Sequence, residues 1–163
     1  MWHRRASVVA FTILLVTMIA APVVARPARG ERGRFGIPVM PGGVVVGDRI
    51  VYEGGAVVVV PAIVASFDSC PNGAVCLFED TNWVGAMAQF TSCCAWNNLA
   101  AYGLNNIASS WRNRSSVDAQ IAKDAGGGGA KLCLNNGSFS NSMPGGWDNV
   151  ASSLRVRNAA TFC

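Results

Sequence analysis

Short apolar runs separated by turn residues recur along the chain from Val44 onward. Residues 44–46, 50–52 and 56–60 are rich in β-branched side chains, and glycine-containing turns lie between them. Runs of this length and composition predict β-strands, and the last two predict a hairpin that ends at Pro61. The pattern leaves open whether this hairpin joins the main sheet or forms a separate flap.

Beyond Cys70 no stretch keeps a helical period. Gly, Asn and Ser recur every few residues, and the apolar runs stay short. This pattern predicts an all-β domain over residues 69–163, preceded by an N-terminal β-hairpin segment over residues 44–68. Residues 26–43 are rich in Arg, Gly and Pro, which predicts a flexible basic arm.

The first 25 residues have the pattern of an export signal. Arg4 and Arg5 precede an uncharged apolar run over residues 6–20, and Ala25 is a small residue at the predicted cleavage point. The run is short for a bilayer span, although an uncleaved membrane anchor is the alternative. We therefore expect a secreted, extracellular protein with residues 1–25 as its signal peptide and no membrane contact after cleavage.

Charge and side-chain chemistry argue against catalysis. The chain has 13 basic and 9 acidic residues and one histidine, His3, which leaves with the signal peptide. No Ser-His, Cys-His or His-metal arrangement can then form in the mature chain. Glu79 and Asp80 are adjacent and point to opposite faces of a strand, so they make a poor acid–base pair. We expect a monomer that is not an enzyme and has no nucleic-acid partner.

An even number of cysteines in an exported chain predicts a disulfide framework. All six fall in the predicted mature part, at Cys70, Cys76, Cys93, Cys94, Cys133 and Cys163. Cys70 and Cys76 enclose a turn-rich segment short enough to close on itself. Adjacent Cys93 and Cys94 are expected not to bond to each other, because side chains diverge on a strand, so each is expected to reach Cys133 or Cys163.

An eight-residue segment occurs twice in the chain. Residues 105–112 read Asn-Asn-Ile-Ala-Ser-Ser-Trp-Arg, and residues 148–155 read Asp-Asn-Val-Ala-Ser-Ser-Leu-Arg. Every position is identical or chemically close, which predicts two tandem repeats over about residues 70–115 and 118–157.

A predicted folded hairpin precedes the first copy. Phe78, Glu79, Trp83 and Gly85 supply an aromatic, an acid, a second aromatic and a glycine around a turn. The corresponding segment of the second repeat, residues 122–129, keeps an acid and the glycine and loses both aromatics. The second hairpin is therefore degenerate.

These motifs resemble a known superfamily. The hairpin followed by (Asn/Asp)-(Asn/Asp)-x-x-Ser-Ser resembles the Greek-key motif of βγ-crystallins over residues 70–157. More narrowly, residues 70–78, residues 102–105 and the valine-rich hairpin resemble bacterial peptidase inhibitor family I36. The resemblance implies a Greek-key sandwich of two repeats that inhibits a secreted peptidase, in particular a metallopeptidase. The Cys70–Cys76 loop is a candidate inhibitory loop, and a simple structural staple is the alternative.

The superfamily resemblance also implies calcium, bound jointly by the hairpin of one repeat and the Ser-Ser segment of the other. Carried over to this chain, the expected ligands are Glu79 or Asp80 with the carbonyl of Ile107 or Val150 and Ser152 in one site, and Asp124 with Ser109 in the other. Oxygen ligands of these kinds suit calcium. Lys123 stands where the second hairpin would have its Glu, and fewer charges mean weaker binding.

Two further functions stay open beside inhibition. The first is a calcium-binding extracellular structural or binding module without inhibitory activity, in which case calcium titration is the discriminating measurement. The structural alternative to calcium binding is that the serines and asparagines only form hydrogen bonds that hold the loops together. The second, weaker function is an antimicrobial or toxin-like protein, for which the sequence offers only its basic arm.

Overall fold

The computed structural model describes residues 38–158, which contain eleven β-strands and only short 3₁₀ helices. The strands are β1 (Val44–Val46), β2 (Arg49–Tyr52), β3 (Val57–Val60), β4 (Val75–Phe78), β5 (Met87–Phe90), β6 (Asn97–Asn98), β7 (Ser110–Asn113), β8 (Ala119–Ala122), β9 (Lys131–Leu134), β10 (Phe139–Ser140) and β11 (Ser153–Val156). The 3₁₀ helices are Glu53–Gly55, Phe67–Ser69, Thr81–Trp83, Leu99–Tyr102 and Ala125–Gly127. Within residues 38–158 no helix is long and apolar enough to cross a bilayer.

The strands form two antiparallel sheets. The seven-stranded sheet has the order β1-β2-β3-β5-β4-β7-β10, and the four-stranded sheet has the order β6-β11-β8-β9. Alternate residues of the strands face inward, so the main core lies between the sheets. Its large fully buried members include Phe90 of the first sheet and Ile121, Leu134 and Leu154 of the second.

Each repeat gives its third strand to the sheet of the other repeat. β4, β5 and β7 of the first repeat lie with β10 of the second, whereas β8, β9 and β11 of the second lie with β6 of the first. The registers also match, because Phe78 pairs with Ser110 in one repeat and Ala122 pairs with Ser153 in the other. This strand order confirms the all-β fold of two Greek-key repeats.

The N-terminal hairpin joins the main sheet, which the sequence left open. β3 pairs with β5 along its whole length, and the ring of Tyr52 lies edge-on to that of Tyr102, with centroids 5.1 Å apart. The Tyr102 hydroxyl donates a hydrogen bond to Glu53 Oε1 at 2.7 Å. The hairpin is therefore an extension of the first repeat's sheet.

Part of the predicted arm is packed. Val39 and Met40 lie against the main core, and the Met40 N–H donates to the Tyr52 hydroxyl at 3.2 Å. These contacts attach residues 38–43 to the hairpin, whereas the sequence placed them in a flexible arm. The predicted signal peptide, the rest of the arm and Cys163 lie outside the described residues.

A second, smaller core covers the outer face of the seven-stranded sheet. Cys76 and Phe78 of β4 point away from the main core because side chains alternate along the strand. They are fully buried together with Val60, Cys70 and Met87. The connection from β3 to β4 therefore crosses this face as a third layer.

The disulfides confirm one prediction and overturn another. Cys70 bonds to Cys76, as the spacing predicted. Cys93 bonds to Cys94, although each of them was expected to reach a distant partner. That expectation was wrong because Cys94 has a φ of +99°, which places the pair in a bend and removes the divergence of neighbouring side chains on a strand. Cys133 is also disulfide-bonded.

Candidate functional site

The first folded hairpin is attached to its own repeat by a buried serine. The Ser110 side chain is fully buried, and its hydroxyl donates to the Asp80 carbonyl at 2.6 Å. The same oxygen accepts the Trp83 N–H at 3.2 Å. The indole Nε1 of Trp83 also donates to the Trp111 carbonyl at 3.3 Å, so the hairpin is bound to β7 through both backbone and side chain.

The second hairpin repeats this attachment. Ser153 is fully buried, donates to the Asp124 carbonyl at 2.7 Å and accepts the Gly127 N–H at 3.0 Å. Ser110 and Ser153 are the second serines of the two repeated segments. The first serine of each segment was the predicted site residue, and the structural role of the second serine was not predicted.

The missing aromatics of the second hairpin are replaced from a neighbouring segment. Gly127 stands at the position of Trp83, and a Cβ on it would overlap the ring of Trp96. Trp96 therefore covers this hairpin, and the Arg155 guanidinium lies 4.8 Å from its ring centroid. Sequence reasoning could not find this contact, because the ring belongs to the first repeat and the hairpin to the second.

Glycine ends both hairpins for the reason that the sequence predicted. Gly85 has a φ of +78°, and a Cβ on it would lie 2.8 Å from Asp80 Oδ2 and from Glu79 Cβ. Gly129 has a φ of +67°, and its Cβ would lie 2.7 Å from Asp124 Oδ2. The carboxylates of Asp80 and Asp124 therefore lie over their own hairpins.

The first serine of each repeated segment faces the other repeat. The Ser152 hydroxyl donates to Asn106 Oδ1 at 3.0 Å, and the Ser109 hydroxyl donates to Asn149 Oδ1 at 3.3 Å. Both asparagines have positive φ, +57° and +55°, which directs their side chains across the junction between the repeats. The structure therefore places Ser109 and Ser152 in paired oxygen clusters that bridge the two repeats.

The acidic residues that were expected to bind calcium together with these serines lie in the two hairpins. Glu79 Oε2 accepts the Ala86 N–H at 3.0 Å, and Glu79 lines a small recess together with Ile107. Val150 is half-buried in the turn before β11. Within residues 38–158, no group of three or more His, Cys, Asp or Glu residues is placed to hold a metal. The atoms at the junction that could bind a metal are hydroxyl, amide and carbonyl oxygens. Such ligands fit a hard cation held with few formal charges.

The Cys70–Cys76 loop projects from a rigid base. Both cysteines are fully buried, whereas residues 71–73 are exposed. The Gly73 N–H donates to the Arg114 carbonyl at 3.0 Å, and the Arg114 guanidinium donates to the Cys70 carbonyl at 2.8 Å. The loop is therefore ordered on both sides of its exposed tip.

Three aromatic rings form a cluster on the outer face of the seven-stranded sheet, here called the aromatic cluster and made of Phe67, Trp83 and Phe139. The centroids of Phe67 and Trp83 are 4.5 Å apart, and Phe139 lies 5.3 Å and 5.9 Å from them. The Arg112 guanidinium lies 3.6 Å from the Phe67 centroid. Phe139 is 57 % exposed, although the other two rings hold it in place. This cluster could not be predicted from the sequence, because the three residues lie far apart in the chain.

Comparison with known families gives one match. The family model of peptidase inhibitor family I36 matches residues 64–134. The matched segment runs from the connection before the Cys70–Cys76 loop to the end of β9. No curated protein matches the chain.

Among solved structures, the chain is similar to βγ-crystallin domains. One, from work on the evolution of the eye lens βγ-crystallin domain fold, is 24 % identical over 53 % of this chain and 88 % of its own, with a TM-score of 0.49. A βγ-crystallin domain from Flavobacterium johnsoniae is 25 % identical over 54 % and 98 %, with a TM-score of 0.46. A βγ-crystallin from Ciona intestinalis is 26 % identical over 52 % and 99 %, with a TM-score of 0.42.

Proposed function

Because residues 64–134 match peptidase inhibitor family I36, we propose that the protein is a secreted inhibitor that binds a peptidase, in particular a metallopeptidase. The family match is the observation that carries this proposal. The fold supports it through rigidity: two interlocked sheets, buried serine attachments and the Cys70–Cys76 bond hold the exposed loops in one conformation. A loop that is already ordered loses little entropy on docking, and it fits a peptidase cleft without being drawn into a cleavable conformation.

The proposal is tested with the mature protein, residues 26–163, with its disulfides intact. It is incubated with a panel of secreted metallopeptidases and serine peptidases, and residual activity is measured against inhibitor concentration. We expect concentration-dependent inhibition of at least one metallopeptidase. A protein that is folded by circular dichroism and inhibits no member of the panel would overturn the proposal.

The Cys70–Cys76 loop supports two roles, inhibitory contact and structural staple, and one substitution separates them. Asn72 is at the exposed tip, and no side-chain hydrogen bond restrains it within the described structure. If the loop contacts the peptidase, Asn72→Ala raises the inhibition constant by about tenfold. Asn105→Ala is the matched control, because Asn105 is also exposed but lies in the first repeated segment. Equal inhibition constants for the two variants assign the loop the staple role.

Calcium binding is the second candidate function, and the paired Ser152–Asn106 and Ser109–Asn149 oxygens favour it. If Ser152 is a ligand, millimolar calcium raises the melting temperature of the parent protein and not that of Ser152→Ala. Ser116→Ala is the control, because Ser116 is exposed and away from the junction. An unchanged melting temperature of the parent in millimolar calcium would exclude a site of that affinity.

A further inference from the structure

The chain contains two Asn-Gly pairs, Asn72-Gly73 and Asn136-Gly137. In such a pair the backbone nitrogen of the glycine can attack the side-chain carbonyl carbon of the asparagine, because glycine has no side chain that hinders the approach. The attack closes a five-membered succinimide ring and releases ammonia. In a folded protein its rate depends on how the structure restrains the glycine nitrogen and the asparagine side chain.

Both pairs lie in tight turns of similar backbone conformation. A hydrogen bond between the first and fourth residues closes each turn, at 3.3 Å in residues 71–74 and at 3.2 Å in residues 135–138. The glycine is the third residue of its turn in both cases, and its φ is positive, +82° for Gly73 and +69° for Gly137. Both asparagines are exposed. The two turns therefore present their Asn-Gly pairs to water in a comparable way.

The two glycine nitrogens differ in their hydrogen bonds. The Gly73 N–H donates to the Arg114 carbonyl at 3.0 Å, whereas the Gly137 N–H has no acceptor within the described structure. The attacking species is the deprotonated nitrogen, and a hydrogen bond that the N–H donates to a carbonyl opposes loss of the proton. The same bond holds the nitrogen in place. The Gly137 nitrogen is therefore the more reactive of the two.

The asparagine side chains differ in the opposite sense, but only weakly. Asn136 Nδ2 donates to the Ser116 carbonyl at 3.4 Å, whereas no side-chain hydrogen bond restrains Asn72 among the described residues. Hydrogen bonds with a nitrogen donor usually have lengths of about 2.7–3.2 Å, so the Asn136 bond is long and the Gly73 bond is of ordinary length. The restraint on the Gly73 nitrogen is therefore the stronger one.

We propose that Asn136 is a site of covalent modification in the folded protein, where water converts it to aspartate and isoaspartate. The Gly137 nitrogen loses its proton to solvent and bonds to Asn136 Cγ, and the Cγ–Nδ2 bond breaks as Nδ2 leaves as ammonia. Water then adds to one carbonyl carbon of the succinimide, and the ring nitrogen takes up a proton as its bond to that carbon breaks. Opening at Cγ gives aspartate, and opening at the backbone carbon gives isoaspartate. Nothing is oxidised or reduced, and water is the co-reactant.

The modification affects a buried carboxylate. Asp118 is 2 % exposed, and its Oδ1 accepts the Asn136 N–H at 2.9 Å. Asp118 Oδ2 has no hydrogen-bond partner in the described part of the chain. A new carboxylate on residue 136 repels that of Asp118, and isoaspartate also adds a methylene to the backbone beside this hydrogen bond. Both products therefore weaken the attachment of the β9–β10 connection to Asp118.

The first test compares the two pairs in one molecule and needs no peptidase. Residues 26–163 are incubated in mildly alkaline buffer, and amide loss from each pair is followed by mass spectrometry of proteolytic peptides. We expect Asn136 to react several-fold faster than Asn72 in the folded protein. Both should react at similar rates in concentrated urea with the disulfides reduced, because the Gly73 hydrogen bond is then absent.

Asn136→Gln is the control for this test, since glutamine keeps the amide and must close a larger ring. Its residue 136 should retain the amide over the time in which Asn136 loses it. Equal rates for Asn72 and Asn136 in the folded protein, or a faster reaction at Asn72, would overturn the proposal. An unchanged ratio of the two rates in urea would show that the fold does not select the site.

The second test measures the consequence for stability. Asn136→Asp reproduces one of the products and is expected to lower the melting temperature. Asn72→Asp is the matched control, because it adds the same charge at the same position of a similar turn. A melting temperature of Asn136→Asp equal to that of Asn72→Asp would overturn the coupling to Asp118.

Discussion

Two serines, Ser110 and Ser153, have the same structural role in the two repeats. Each is fully buried, and each hydroxyl both donates to a hairpin carbonyl and accepts a hairpin N–H. Alanine fits the space but satisfies neither partner. The identity of this position in both copies of the repeated segment therefore follows from hydrogen-bond satisfaction alone, and it needs no ligand.

Ser153→Ala is expected to lower the free energy of unfolding by about 1–3 kcal/mol, because the buried Gly127 N–H and the Asp124 carbonyl lose their partner. Ser110→Ala should lower the free energy of unfolding by a similar amount. Urea denaturation followed by circular dichroism measures both, with exposed Ser116→Ala as the control. A loss for Ser153→Ala no greater than that of the control would contradict the attachment described above.

The chain's two tyrosines make a pH probe of the hairpin contact. Burial raises the pKa of Tyr52, and burial together with the hydrogen bond to Glu53 raises the pKa of Tyr102, both from the ordinary value of 10.0. A raised pKa in the folded state favours the neutral phenol. Its contribution to stability is complete below pH 10 and is lost as the pH rises through the folded-state pKa values.

Alkaline titration should therefore show tyrosinate absorbance at a higher pH in the folded protein than in concentrated urea, where both tyrosines should titrate near pH 10. Near-ultraviolet absorbance measures tyrosinate formation, and circular dichroism on the same samples measures unfolding. Tyr102→Phe is expected to halve the absorbance change. A titration of the folded protein that coincides with the titration in urea would contradict the packing of the hairpin.

At the scale of elements, the disulfides differ in what they constrain. The Cys70–Cys76 bond closes a loop between two fully buried residues that belong to the second core. The Cys93–Cys94 bond joins neighbours that are both exposed. Of these two bonds, the Cys70–Cys76 bond is the one that closes a loop in the unfolded chain and fills a core.

Replacing Cys70 and Cys76 together by alanine is expected to cost about 2 kcal/mol from the lost loop constraint, with a further loss from the second core. Replacing Cys93 and Cys94 by alanine is the matched control and should change stability by about 0.5 kcal/mol or less. Urea midpoints of the two double variants give the comparison. Equal losses would show that the first bond has no special part in the fold.

β1, β2 and β3 could be predicted from the sequence because each carries its own apolar run. β7 and β11 could be predicted because they lie at the ends of the two repeated segments. The two-residue strands β6 and β10 escaped prediction, because such short segments are strands only by virtue of their neighbours. The Cys93–Cys94 bond escaped for a related reason, since the expectation assumed an extended backbone at a place where the chain bends.

At the scale of the whole molecule, the repeated segment predicted two structural units that pack against each other. It did not predict that the two ends of the molecule differ. The contacts of Tyr52 with Tyr102 and of Met40 with Tyr52 depend on residues outside the repeats.

The exchange of third strands also bears on how the chain is made. β10 completes the sheet of the first repeat, and β6 waits for β11 before it has any partner. During synthesis, a chain interrupted before residue 139 has neither sheet finished and leaves the hydrogen-bonding edges of its strands unpaired. Both sheets are therefore completed only after nearly all of the described chain has emerged, because each one needs a strand from the other repeat.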